Sequence, residues 1–300
     1  NEIARLSYAG DLSVSELVAG AGETLRKVSE QVSAPEQVAD MTDVASELYD
    51  QALERAQLAR NGKPITSRRI ATGLVDVDQL LKGGLRPGTL NLVAGRPGQG
   101  KSSWMQTVAL TAAENGKRVG FFSLEMARQE LAARLLSAPS GLDANLISEG
   151  LLTDSQWEAF ITALEGLHSG RLFISDSASL TPANLRAQAW QLQSKYGLDL
   201  LVVDYLQLMR PGLRLQNREQ EVAHCSRELK LLAGELKIPV LAAAQLSRAS
   251  EVRVEKEPQL SDLRESGALE NDADVVMFIW RPEAESNVSR LKVAKHRGGP

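Results

Sequence analysis

Eight residues carry the most specific chemistry in this sequence. Gly95-Arg96-Pro97-Gly98-Gln99-Gly100-Lys101-Ser102 fits the pattern G-x-x-x-x-G-K-[ST] in full, and Ser103 follows at once. Glycines let backbone N–H groups converge on phosphate oxygens without a Cβ in the way. The start of a helix adds favourable partial charge for an anion. The lysine of such a loop reaches the terminal phosphates of a nucleoside triphosphate, and the hydroxyl of the next residue ligates Mg²⁺. The setting is what this chemistry requires, because the apolar run Leu90–Ala94 precedes the loop and a helical pattern opens at Ser102.

Phosphoryl transfer also needs a carboxylate on the metal side and a group that handles water. Leu200-Leu201-Val202-Val203 ends in Asp204, placing an acid at a strand terminus; alone, it would be an ordinary turn residue. Asp204 is followed by Tyr205 and not by a second acid. Glu125, which closes Phe121-Phe122-Ser123-Leu124, is the alternative base, or else a solvated cap of the next helix. Gln245 ends the strand Val240–Ala244 and either senses a γ-phosphate or fills a turn. Arg134, nine residues past Glu125, points at phosphates or at solvent.

The elements that must position these groups alternate. Strands are expected at Leu90–Ala94, Arg118–Leu124, Leu200–Leu206, Val240–Ala244, Val275–Trp280 and Leu291–His296. Helices fall between them at Ser102–Glu114, Arg128–Ser137, Ser155–Leu167, Pro182–Tyr196 and Gln220–Leu236. Short apolar strands separated by helices give an α/β domain with a mainly parallel central sheet flanked by helices. In such a sheet, ligands lie beyond the carboxyl ends of the strands, where Asp204, Glu125 and Gln245 all fall. Residues 1–34 read as polar helical segments. Thr42–Arg60 carries an apolar stripe, Val44, Ala45, Leu48, Tyr49, Ala52, Leu53 and Ala56, that packs either on its own domain or on a neighbouring subunit.

Composition narrows the class. The 300 residues are 43% hydrophobic and 24% charged, with a net charge of −4, as in an ordinary globular protein. An aromatic content of 4% argues against a fold built on stacking. A lone Cys225 and three scattered histidines exclude an internal disulfide and a cysteine–histidine zinc site within one chain. No apolar run approaches a membrane span and the start lacks a signal peptide's pattern, so a cytoplasmic location without a membrane partner is expected.

The residues also resemble a family, the bacterial DnaB-type replicative DNA helicases, over their C-terminal ATPase domain and the preceding linker helix. The stretches that carry the likeness are Thr72–Asp78, Ala94–Ser102, Phe122–Met126, Val202–Met209, Asn217–Val222, Ala244–Arg248, Ser261–Asp274 and Lys295–Pro300. The resemblance implies a RecA-like P-loop core that forms a homohexameric ring around single-stranded DNA at the replication fork. It implies movement 5′→3′ driven by ATP and Mg²⁺, with primase and a helicase loader as partners. It makes Glu125 the catalytic glutamate, Lys101 and Ser102 the phosphate and metal contacts, Asp204 the metal-side acid and Gln245 the sensor. Lys295 and Arg297 become cations offered to a neighbour's γ-phosphate, and Arg264, Glu265 and Gly267 a loop on the DNA backbone.

By the same likeness, residues 1–40 end an N-terminal helical domain and its linker. Residues 41–63 form the linker helix on a neighbouring subunit, and 64–300 the ATPase domain, stopping short of its last strands. The chain departs from the family at Leu74, where an aromatic residue is usual, and places His296 between the two trans cations. A RecA-like recombination or clock-type ring ATPase without unwinding shares the loop, Glu125 and Asp204, and is the alternative reading. A ring scaffold that binds ATP only to assemble is a third.

Overall fold

The computed structural model describes residues 40–60, 68–167, 170–177, 179–247, 257–263, 267–282 and 288–299. The segments expected to be helical in residues 1–34 lie outside these. Contacts divide the chain into Asn1–Thr66 and Ser67–Pro300. In the first unit, α1 (Met41–Arg60) is one helix of 20 residues. Asp40 begins it by accepting the Thr42 N–H at 2.8 Å, which holds the Asp40 carboxyl below its ordinary range. Its stripe residues Val44, Leu48, Tyr49 and Leu53 are exposed.

In the second unit the elements run α2 (Val75–Leu80), β1 (Leu90–Gly95), α3 (Lys101–Glu114), β2 (Val119–Ser123), α4 (Arg128–Ser140), α5 (Ala144–Glu149), α6 (Asp154–Leu167), β3 (Leu172–Ser175), α7 (Pro182–Tyr196), β4 (Leu200–Asp204), α8 (Arg218–Leu236), β5 (Val240–Gln245), α9 (Gly267–Asp272), β6 (Val275–Trp280) and β7 (Arg290–His296). The strands form a single sheet in the order β3-β2-β4-β5-β1-β6-β7. All neighbours are parallel except β7, which runs antiparallel to β6.

Burial on both faces explains the unbroken apolar strands. Leu92 and Ala94 of β1, Phe122 of β2 and Leu201 and Val203 of β4 pack on one side with Leu185 of α7 and Leu229 of α8. Their alternating neighbours Val93, Phe121, Leu200 and Val202 pack on the other with Met105 and Val108 of α3 and Leu131 of α4. Side chains of successive residues point to opposite faces, so a strand covered twice has no place for a polar alternation.

The main departures from expectation are short elements. β3 was not anticipated; its four half-buried residues pair only with β2 at the sheet edge. The strand expected to reach Leu206 stops at Asp204, because Leu206–Leu208 winds into a 3₁₀ turn. α8 starts two residues early, at Arg218, where the Asn217 side chain accepts the Gln220 N–H at 2.9 Å. Register then builds the functional rim. Gly95 stands opposite Gln245, and Ser123 opposite Asp204, so the carboxyl ends of β1, β5, β2 and β4 open on the same side.

Candidate active site

The cradle is the turn from β1 into α3. Gly98 and Gly100 have φ of +74° and +97°, a left-handed backbone that favours glycine. Gly95 is needed for a different reason: a Cβ there would lie 2.5 Å from the Ile279 carbonyl of β6. Lys101 folds back over the loop and donates to the carbonyls of Gly95 and Arg96 at 2.9 and 3.0 Å. Burial lowers its pKa, and the fields of Asp204 and Glu125 oppose that shift. Arg96 reaches away from the loop to donate to the Leu246 carbonyl at 2.9 Å, which ties the cradle to the end of β5. Pro97, Gly98, Gly100, Lys101, Ser102 and Ser103 form one wall of a cleft of about 510 Å³.

Four more of the residues expected at the site line the same cleft, Glu125, Arg134, Asp204 and Gln245. Asp204 is 3% exposed, and its Oδ1 is buried without a hydrogen-bond partner. Burial pushes its pKa up, and a hydrogen bond with Ser102 pulls it back. A buried, unpartnered carboxylate oxygen beside a serine hydroxyl suits a hard divalent cation that takes its remaining ligands from water and phosphate. Ser102 and Asp204 therefore fit Mg²⁺.

Glu125 is exposed, in a turn held from both sides. The Ser123 hydroxyl donates to the Met126 carbonyl at 2.8 Å and accepts its N–H at 3.0 Å, while Leu124 N–H donates to the Asp204 carbonyl at 2.7 Å. The carboxylate is thus presented to the cleft with no partner needed to hold it there. Arg134 lines the cleft, but its guanidinium pairs with Glu130 at 2.8 Å on the same helix and stays 46% exposed.

The contacts that support these residues were not visible in the sequence. The Gln207 amide clamps the backbone of Gln245, donating to its carbonyl and accepting its N–H, both at 3.2 Å. Arg218 in turn donates to the Gln207 carbonyl. Gln99 is more than a loop filler: its Oε1 accepts the Arg281 N–H at 2.6 Å and its carbonyl accepts from the Ser289 hydroxyl at 3.4 Å. Arg281 and Tyr205 also line the cleft; burial, Glu125 and Asp204 raise the Tyr205 pKa. Gln99, inside the loop motif, and Tyr205, adjacent to Asp204, carried a signal in their positions.

Lys295 and Arg297 do not join this cleft. On β7, Lys295 pairs with Val276, and the Arg297 N–H donates to the Asp274 carbonyl at 2.8 Å. Gly95 lies level with Ile279. At ~3.3 Å per residue, the two cations sit roughly 10 and 17 Å away from the cradle along the strand direction. Their side chains donate to the carbonyls of Glu270 and Asn271 in α9. Burial first, and Arg297 second, lower the pKa of Lys295. Of the three loop residues expected on DNA, Arg264 and Glu265 lie outside the described residues; Gly267 opens α9, with space around its Cα.

The family description "DnaB-like helicase C terminal domain" matches residues 69–300. The replicative DNA helicase DnaB of Leifsonia xyli subsp. xyli is 36% identical over 305 residues, covering 99% of this chain and 65% of that protein. The replicative DNA helicase DnaC of Bacillus subtilis is 34% identical, with 99% and 66% covered. A solved ATPase domain superposes with a TM-score of 0.77 at 28% identity, over 87% of this chain and 93% of that one. A DnaB-like replicative helicase, solved with attention to its interactions with primase, gives a TM-score of 0.74 at 27% identity, over 93% and 72%. The chain spans about two thirds of the length of the first two relatives. With the cradle, the rim and the sheet all accounted for, this chain belongs to the family of DnaB-like helicase C-terminal domains.

Proposed function

We propose that this chain is the motor of a replicative DNA helicase, which hydrolyses ATP between the subunits of a homohexamer and moves 5′→3′ on single-stranded DNA. Lys101 binds the β- and γ-phosphates against the loop's N–H groups. Ser102 and Asp204 would hold Mg²⁺, which would supply charge neutralisation at the transferring phosphoryl group. Glu125 takes the proton of the attacking water, and Gln245 reads whether the γ-phosphate is present.

The observation that carries the reading is the separation of the cations from the cleft. Lys295 and Arg297 stand at the far end of the sheet, where a neighbouring protomer's triphosphate is the phosphate they can meet. A guanidinium on the transferring group is worth ~10³–10⁵ in rate. The exposed stripe of α1 suits docking on that neighbour, and the family resemblance assigns Arg264, Glu265 and Gly267 to contact with a DNA backbone. Such contact follows phosphates and ignores base identity. Primase, a helicase loader and a place at the fork in the cytoplasm complete the proposal. No described helix is long and apolar enough to cross a membrane.

The test mixes subunits. Lys101→Ala abolishes turnover while leaving the fold intact. Arg297→Ala and Glu125→Ala rings are each inactive, and mixing them restores hydrolysis at interfaces that pair an intact cradle with intact cations. No recovery on mixing refutes the trans assignment. Strand displacement by the assembled protein separates the helicase from a ring ATPase that does not unwind.

A further inference from the structure

We propose that Asp274, held by Lys230, is the positioning residue for the cations that one protomer offers to the next. The inference rests on the trans reading above and adds to it the group that fixes those cations in place. Asp274 ties β1, α8 and the residue that follows β7 together at the end of the sheet opposite the cleft. Its Oδ2 accepts the Leu90 N–H of β1 at 2.8 Å and the Lys230 ammonium of α8 at 2.5 Å. Its carbonyl accepts the Arg297 N–H at 2.8 Å, and its Oδ1 lies 3.9 Å from Arg297 Nη1. Lys230 is secured in turn by the Gly88 carbonyl at 3.3 Å.

The charges explain why a carboxylate is needed there. Lys295 on β7 and Arg297 just past its end lie two residues apart and repel each other. His296 between them faces Lys82, Arg69 and Arg86. Asp274 is 5% exposed, so its charge is little screened, and together with Glu270 and Asp272 it offsets that repulsion at Lys295. A buried anion with two fixed partners is a rigid reference point. Its main-chain carbonyl holds the Arg297 N–H, and its carboxylate, 3.9 Å from a guanidinium that donates to the Asn271 carbonyl, biases by charge the direction in which Arg297 is presented. It touches no part of this protomer's own cleft.

Asp274→Asn keeps the shape and an acceptor for the Leu90 N–H, but removes the charge. Freeing one long side chain at the transferring phosphoryl group lowers kcat about two- to tenfold. The KM for ATP stays unchanged, since the cradle is intact. Single-turnover hydrolysis in rings mixed with excess Glu125→Ala subunits gives the decisive reading. Each Asp274→Asn cradle then receives cations from a neighbour with an intact Asp274, and its rate returns towards wild type. A merely structural defect would not recover. Wild-type kcat in Asp274→Asn rings overturns the inference. So does absence of recovery when the parallel mixture of Arg297→Ala with Glu125→Ala does recover. If neither mixture recovers, the trans reading itself fails and takes this inference with it.

Discussion

Replacing Gly95 with alanine tests whether the cradle is set by the approach of β6. The added Cβ would stand 2.5 Å from the Ile279 carbonyl, where 3.4 Å is the start of ordinary contact. The carbonyl belongs to a strand paired with β1 on one side and β7 on the other, so it cannot swing away alone. One of the two backbones must retreat by about 0.9 Å. Overpacking of this kind costs about 1–3 kcal/mol, and a domain of this size loses ~2–4 °C of melting temperature per kcal/mol. The expected fall is therefore about 2–12 °C. The retreat also displaces the first residue of the phosphate loop, and a misplacement of ~1 Å lowers kcat/KM by about a hundredfold. Gly98→Ala is the control: its φ is +74° and nothing lies within 4 Å of the new Cβ. In the nucleotide-free protein it should cost only the left-handed strain of about 1 kcal/mol, so it is a control for melting and not for turnover, because Gly98 lines the cleft where phosphate would bind. Thermal melts on both variants and steady-state ATPase assays on Gly95→Ala decide the matter. Wild-type melting and turnover in Gly95→Ala would refute the reasoning.

Three further outcomes follow from the same geometry. Burial raises the Asp204 pKa above its unfolded value, so its ionisation weakens the nucleotide-free fold as pH rises through the folded pKa. Asp204→Asn should raise the melting temperature at neutral pH, with the gain vanishing below pH 3.8, the ordinary carboxylate value, while Mg²⁺-dependent hydrolysis is lost; a melt that is no higher at pH 7 contradicts this. Gln207→Leu removes both hydrogen bonds to the Gln245 backbone, together worth about 1–3 kcal/mol; kcat should fall with the KM for ATP nearly unchanged, and identical kinetics would remove Gln207 from the site. Burial pushes the Cys225 thiol up to about 11, so iodoacetamide at pH 8 should label it only in denaturant, as mass spectrometry can measure; rapid labelling of the native protein would mean the core opens.

The legible parts of this molecule were those written in consecutive residues. The loop 95–102, the apolar runs of β1, β2, β4, β5 and β6, and the polar residues that end them are local signals, and the parallel register then gathers them on one rim. β3 was missed because four half-buried edge residues show neither a period nor a long apolar run. α2, α5 and α9, at six residues each, are too short for a helical stripe. The supporting contacts were illegible for another reason. Gln207 and Gln245 are 38 residues apart, Lys230 and Asp274 are 44, and Gln99 and Arg281 are 182. Nothing in a glutamine or an aspartate announces a partner at that distance. Arg134 had two readings, phosphate or solvent; it lines the cleft, while a partner four residues away on the same helix, Glu130, takes its guanidinium.

Among the described strands β7 alone reverses direction, and the reversal gives the β6–β7 hairpin two unlike ends. One end stays beside its own cradle, through Gln99, Arg281 and Ser289. The other carries Lys295 and Arg297 away from it. Under the proposed trans assignment a protomer would not serve itself, and around a closed circle every member would both give and receive. A broken circle would then leave one member unserved, and an unassembled copy would sit idle with its nucleotide intact.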